Sequence, residues 1–337
     1  MHNADLMTAP YRIFGVEASP YSVKVRSYFR YKRIPHQWVV RDRTAMPEFQ
    51  RLAKLPLVPL VVTPQGEALQ DSTPILEEME RRHPDPALQP NDATLAFLSA
   101  LLEEYADEWG NKPMFHYRWT YDDDQRSAAE RIARESMPGA SADEIASAAE
   151  MIRKRMVPRL KLVGSSKATR GVIEASFERQ LRILDPHLAT RSFLFGGRPT
   201  LADFGLFGQL YQCATDPTPA RLMQEGARHV LRWIERMLDP HAEGDVEPWT
   251  SLEPTLFPLL RDEVGAVFLP WSTANARALE RGEASFEVTL GGAPFAQETQ
   301  KYHAKSLAVL RARLAAVADR SALDPILERA GCLSWLA

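Results

Sequence analysis

Hydrophobic and polar positions divide the chain into two unlike stretches. Up to about residue 84, short apolar runs are broken by proline and glycine, whereas beyond Pro90 apolar residues recur every three or four positions. Tyr11 to Val16 is a short β-prone run, and after Ser19-Pro20 the residues Val23, Val25, Tyr28, Phe29 and Tyr31 take helical spacing. A strand therefore feeds a helix. Pro20 suits the first helical position, where its missing N–H costs no hydrogen bond, and this puts Ser19 at the N-cap. His36 to Val40 reads as a second strand and Met46 to Ala53 as a short amphipathic helix ending before Leu55-Pro56. Pro59 to Thr63 and Glu67 to Gln70 flank the turn Pro64-Gln65-Gly66, a hairpin pattern. From Ser72 the period is helical through Ile75, Leu76 and Met79; Arg81-Arg82-His83 end that helix with positive charge and Pro84 stops it. The predicted order is βαβαββα.

The strongly periodic segments beyond Pro90 are almost all helical: Thr94 to Trp109, Ala142 to Met156, Val172 to Leu188, Leu201 to Cys213 and Arg228 to Leu238. Ser141 with Glu144 forms a capping box at the start of the second. The charged stretch 121–170 reads as a solvent-facing insertion, with Asp122-Asp123-Asp124 as a solvated helix cap. In the tail, Phe286 to Leu290 alternates before Gly291-Gly292, and Gln300 to Val317 resumes helical spacing. A strand or hairpin followed by a terminal helix is expected there. The chain of 337 residues suits two domains, 1–88 and 92–337, the second carrying the insertion and an extension over 250–337.

Charge narrows the partners. With 41 Lys plus Arg against 44 Asp plus Glu, no field favours nucleic acid or an anionic membrane, which leaves a small molecule. Met1 to Pro10 lacks a basic start and apolar run, and no apolar stretch reaches 18 residues, so a cytoplasmic location is expected. Cys213 and Cys332 form neither a Cys-x-x-Cys pair nor a metal knuckle, and the eight histidines show no ligand spacing. Neither dithiol chemistry nor a metal is expected.

Four motifs stand in order on this frame: Ser19-Pro-Tyr-Ser22, Leu57-Val58-Pro59, Asp71-Ser72 and Arg198-Pro-Thr-Leu-Ala-Asp203. Together they resemble the glutathione transferase superfamily, closely over roughly residues 11 to 90 and more loosely to about 240. The fold class this implies is α/β plus all-α: a thioredoxin-like βαβαββα domain and a larger helical domain. Ser19, at a helix N-terminus where unpaired amides and the dipole favour an anion, matches the serine that holds the glutathione thiolate in serine-type members. One hydrogen bond and the helix field lower a thiol pKa in the same way that they activate cysteines. The bare reading of Ser19 is a helix cap, and both roles are compatible. Tyr21 and Ser22 are reserve candidates; tyrosine-type branches carry theirs near the end of the first strand, where this chain has Phe14.

The resemblance further implies a cis Val58-Pro59 bond with Val58 offering its N–H and C=O to the cysteinyl unit, although an ordinary trans proline opening an edge strand also fits the residues. Ser72 is expected to cap the third helix and face the γ-glutamyl carboxylate, while Asp71, in place of the usual Glu, pairs with the ammonium. Thr200 and Asp203 form a structural capping box flanked by Pro199 and Phe204. Tyr105, Trp109 and Phe115, with Tyr117 and Trp119 nearby, suggest a second-substrate pocket; core packing explains them equally well. Cys213 reads as a buried core thiol. The implied activity is conjugation of glutathione, as co-substrate, to a small electrophile by a homodimer. A binding or scaffold protein of the same fold and a glutathione-dependent isomerase or dehalogenase are the alternatives.

Overall fold

A computed structural model describes residues 9–337. The reading of Met1 to Thr8 lies outside the described residues. The small domain holds β1 (Tyr11–Gly15), α1 (Pro20–Tyr31), β2 (His36–Val40), α2 (Met46–Leu52), β3 (Leu60–Val62), β4 (Ala68–Gln70) and α3 (Ser72–Arg82). The sheet order is β2-β1-β3-β4, with β1 parallel to β2 and antiparallel to β3. Alternation sorts its side chains. Ile13 and Val61 join the main core with α1 and α3, while Phe14, Leu60 and Val62 meet Phe49 of α2 on the other face.

The helices that follow are α4 (Ala93–Glu108), α5 (Asn111–Thr120), α6 (Asp122–Ser136), α7 (Ala142–Met156), α8 (Arg170–Leu188), α9 (Leu201–Thr215), α10 (Pro217–Gly226) and α11 (Arg228–Met237). Helix α9 is largely enclosed, packed against both α4 and α1. Two glycines permit that approach. A Cβ at Gly205 would lie 3.1 Å from Glu103 of α4, and one at Gly208 only 2.6 Å from the Pro20 carbonyl of α1. At the start of α9, Asp203 accepts from the amide and hydroxyl of Thr200, and also from the Leu194 amide and the Trp233 indole. This network ties three segments to one carboxylate.

The charged insertion folds as the hairpin α6–α7, held by small clusters around Ala129 and around Ala133 with Ile145. Asp122 and Asp123 are exposed, as expected of a solvated run. Asp124 departs from that expectation. It is buried and accepts from the Thr218 amide at 2.8 Å, because the start of α6 packs beside α10.

The tail begins with one continuous helical rod, α12 (Trp249–Leu259), a wide π-type segment Leu260–Phe268 and α13 (Leu269–Glu280). Pro254, Pro258 and Pro270 cannot donate to its ladder, and between them the turns widen. Strands β5 (Ser285–Leu290) and β6 (Ala293–Glu298) then pair through Gly291-Gly292, both at positive φ as a tight hairpin turn requires. Helices α14 (Lys301–Ala315), α15 (Leu323–Arg329) and α16 (Leu333–Leu336) complete the chain. The hairpin closes a box around Lys112, whose ammonium lies 3.9 Å from the Trp271 ring centroid and also faces Trp109 and Phe295. It donates to Gln297 at 2.9 Å, and burial drives its pKa well down. No helix among the described residues is long and apolar enough to cross a membrane.

His187 of α8 offers a pH test of this core. Its ring is fully buried, bonded to the Leu194 carbonyl at 2.8 Å and to the Thr255 hydroxyl at 2.7 Å, and burial lowers its pKa to about 4. The unfolded chain takes up this proton first, so stability is complete above about pH 6.5 and falls as pH drops towards 4, by roughly 3 kcal/mol. Urea titrations across that window should show the wild type losing about that much more than His187→Gln.

Candidate functional site

The register of the sheet gathers the predicted residues. Phe14 pairs with Leu60 and Leu60 with Gln70, so the carboxyl end of β1, the start of β3 and the end of β4 lie side by side. The next residues along each strand are the β1–α1 loop with Ser19, Val58-Pro59, and Asp71-Ser72. All three predicted motifs therefore share one edge of the sheet.

Ser19 caps α1. Its Oγ accepts from the Ser22 amide at 3.2 Å, and it remains half-buried at the loop surface. The two reserve candidates are engaged differently. The Tyr21 hydroxyl donates to the Asp107 carbonyl at 3.0 Å, and burial with the nearby Asp107 and Glu108 carboxylates raises its pKa well above that of an ordinary tyrosine. Ser22 is sealed, its Oγ without a partner.

The loop before Ser19 is held from the helical side. Glu17 donates its amide to Glu135 and accepts at its carbonyl from Gln212, at 2.8 and 2.7 Å. Arg118, only 3% exposed, donates to the Ala18 carbonyl at 2.8 Å, to Gln212 at 2.6 Å and to the buried Asp216 carboxylate at 2.7 Å. Two carbonyls and an amide of the loop are thus fixed by side chains 100 or more residues away. Nothing in the local sequence signals that Arg118 has this role.

The Val58-Pro59 bond is cis. Among the described residues no hydrogen bond reaches the Val58 amide or carbonyl. Gln70 fixes the approach to it: its side chain accepts from the amides of Lys54 and Leu55 and donates to the carbonyls of Leu55 and Leu57, at 2.7 to 3.0 Å. Gln70 was invisible as a site residue, because its partners lie across a loop rather than along the strand. Asp71 stands at φ 77, a backbone region that side chains rarely occupy and that clusters at functional sites. The expected cap at Ser72 is corrected: Asp71 holds the N-cap position, Ser72 is the first helical residue, and the Asp71 side chain makes no capping bond. The strained turn places the helix start one residue earlier.

Behind this edge Lys24 of α1 is buried between Glu103 and Asp107 of α4, at 2.6 Å from each. Burial opposes its charge, but Asp107 and Glu103 together raise its pKa. The extension arrives from the other side. The Tyr302 hydroxyl donates to the Asp71 carboxylate at 3.2 Å, His303 contacts Glu108 and Arg313 contacts Glu77. A cavity of about 220 Å³ lies between α3, α4 and α14.

The aromatic residues expected to line a second pocket are placed otherwise. Tyr105 and Trp109 are buried in the core, Tyr105 donating to Glu263 of the π-type segment at 3.0 Å and Trp109 to Ser176 at 2.8 Å. They pack against Phe268, Trp271 and Phe295, so the tail has closed over the helix face that they occupy. Phe115 is half-buried, wedged against Trp119. Cys213 and Cys332 are both buried, and burial pushes the Cys332 thiol up to about 12.

Residues 18–82 match the family model of the glutathione S-transferase N-terminal domain, and residues 129–236 that of its C-terminal domain. With about half of its residues matched, the chain belongs to the glutathione S-transferase superfamily. Similar solved structures include the β-etherase LigF of Sphingobium sp. strain SYK-6, at 17% identity and TM-score 0.49, covering 68% of this chain and 95% of that one. A glutathione S-transferase of Methylobacterium radiotolerans in complex with glutathione sulfonate is 20% identical with TM-score 0.39, covering 71% and 99%. Maleylacetoacetate isomerase of Anaeromyxobacter dehalogenans is 22% identical with TM-score 0.37, covering 68% and 89%. No curated protein matches the sequence.

Removing the Arg118 guanidinium strips the buried Asp216 of one partner and frees the Ala18 carbonyl. Arg118→Met is expected to cost about 3 kcal/mol in urea unfolding. The same variant should speed amide hydrogen exchange at residues 19–23 more than in α3.

Proposed function

We propose that this chain binds glutathione along the shared sheet edge and uses it as a thiol nucleophile towards a small electrophile. In this reading the Ser19 hydroxyl donates to the sulfur while the α1 amides and dipole favour the thiolate. The observation that carries it is the convergence of Ser19, Val58 and Asp71-Ser72 on one edge of the sheet. Family membership makes glutathione the natural ligand for that edge. The free amide and carbonyl of Val58 suit strand-like pairing with the cysteinyl unit. Ser19 is preferred over Tyr21 because the Tyr21 proton is committed to Asp107, and over Ser22 because that oxygen is sealed.

The step asks little of the protein. The thiol proton leaves to solvent and the sulfur pair forms a bond to the electrophilic carbon, whose displaced electron pair departs with a leaving group or, where the carbon belongs to a double bond, takes up a proton from solvent. With Tyr105 and Trp109 in the core, the acceptor lies towards the polar β1–α1 loop. Isomerisation or dehalogenation by the same thiolate stays open as the finer activity. A binding or scaffold role is the second reading, favoured by the extension whose Tyr302 engages Asp71. A substrate panel with glutathione, together with calorimetry, separates the two: binding with turnover supports the enzyme, and absence of binding at millimolar glutathione rejects it.

Ser19→Ala is expected to lower kcat/KM with an electrophilic test substrate by about 10²-fold, the scale for losing one donor to a developing anion. Glutathione affinity should stay nearly unchanged. The apparent thiol pKa in the pH–rate profile should rise by about 1 to 2 units, the value of one charge-assisted hydrogen bond. An unaltered profile would remove Ser19 from the mechanism.

A further inference from the structure

A small cavity of about 110 Å³ lies where the hairpin of the extension meets the helical domain. Val172, Ala175 and Arg179 of α8 form one wall, Val267 of the π-type segment another, and Leu290 and Ala293, on either side of the hairpin turn, close it. The matched family segment ends at residue 236, so half of this lining is supplied by the tail. The lining is apolar but for one cation. Arg179 is half-buried, and its Nε donates to Glu263 at 2.6 Å. That carboxylate is fully enclosed and has other donors, since the Tyr105 hydroxyl reaches its second oxygen at 3.0 Å and the Ser176 hydroxyl contacts the same atom. Asp262, the neighbouring acid, is held through both oxygens by Arg261, at 2.7 and 2.9 Å. Among the described residues, the two terminal guanidinium nitrogens of Arg179 have no hydrogen-bond partner.

These surroundings suit a ligand of two halves. The paired N–H groups of an arginine match the two oxygens of a carboxylate, while aliphatic walls gain by covering an aliphatic tail instead of water. Size sets the length: an apolar cavity of about 150 Å³ accommodates benzene, so roughly four carbons suit this one. An inorganic anion would leave Val172, Val267 and Leu290 wet, and a plain hydrocarbon would cover the guanidinium without a hydrogen bond. The widened turns of the π-type segment, a form that recurs at functional sites, bring both Glu263 and Val267 to α8.

We propose that this cavity binds a short-chain aliphatic carboxylate, its two oxygens on the terminal nitrogens of Arg179 and its tail against Val267 and Leu290. Arg179 then serves two carboxylates at once, the buried Glu263 through Nε and the incoming one through its remaining donors. No residue of the candidate thiol site takes part. Occupancy ties the hairpin turn to α8.

The test is a ligand-observed NMR titration of the wild type and of Ala175→Leu with butyrate and with butyramide, its uncharged counterpart. Position 175 is exposed on α8, and leucine suits a helix while filling the recess and leaving the Arg179–Glu263 pair in place. The wild type should bind butyrate saturably at millimolar concentration and butyramide about tenfold more weakly, the loss expected of a charge-assisted hydrogen bond. Ala175→Leu should bind butyrate about tenfold more weakly than the wild type does, because its added atoms take the place of the tail. Butyrate should also slow amide hydrogen exchange at Gly291 and Gly292 of the wild type, a readout that locates the ligand even where the variant fails to fold. Equal affinity for the two ligands overturns the role of Arg179. Equal butyrate affinity in the two proteins, or unchanged exchange at the turn, overturns the location, and absence of saturable butyrate binding to the wild type rejects the site outright.

Discussion

One ammonium joins the two domains. Lys24 leaves α1 of the small domain and ends between two carboxylates of α4, with Thr73 of α3 also in reach at 3.2 Å. Burying three charges is expensive, and the arrangement holds only because each has a close partner of opposite sign or a hydrogen bond. Its geometry therefore fixes where three helices meet. Gly208 of α9 sets the approach to Pro20 and Lys24 of α1 and Gly205 the approach to Glu103 of α4, so α9 fits closely against both helices that the ion pair joins.

The consequence reaches the candidate site directly. Ser19 begins α1, so the position of its oxygen is set by how that helix is seated, and the loop leading to it is held by Arg118, Gln212 and Glu135 from the other domain. The small domain supplies the strands and the anion-favouring helix end. Docking of the helical domain supplies the alignment. The geometry of the candidate site is in this sense a property of the interface rather than of either domain.

Much of this was legible in the residues, and the reasons differ by element. The βαβαββα order could be read because Ser19-Pro20, Pro64-Gln65-Gly66 and Pro84 punctuate it locally. Around Gly291-Gly292 the residues left a strand or a hairpin open, and the pairing of Ala293–Glu298 with Ser285–Leu290 decides for the hairpin. The polar chemistry that matters was less accessible, since Tyr302 and Asp71 are 231 residues apart and no periodicity links them. Tyr105 and Trp109 failed for another reason: an aromatic helix face has the same pattern whether it lines a cleft or lies under a later segment. Asp124 looked like its two acidic neighbours until α10 covered it. The π-type segment followed from prolines whose combined effect on a long helix was not apparent from any one of them.

The box around Lys112 bears on how the tail can be studied. Its walls come from Trp109 at the end of α4, from α13 and from β6, and Lys112 donates to Gln297 of that last strand and, at 3.3 Å, to the Val163 carbonyl. Cutting the chain before the hairpin would take away the amine's nearer acceptor, leaving it the Val163 carbonyl, and open the indoles of Trp109 and Trp271 to water. A shortened protein would then report on a damaged interior rather than on a missing appendage. The tail is better dissected one surface side chain at a time.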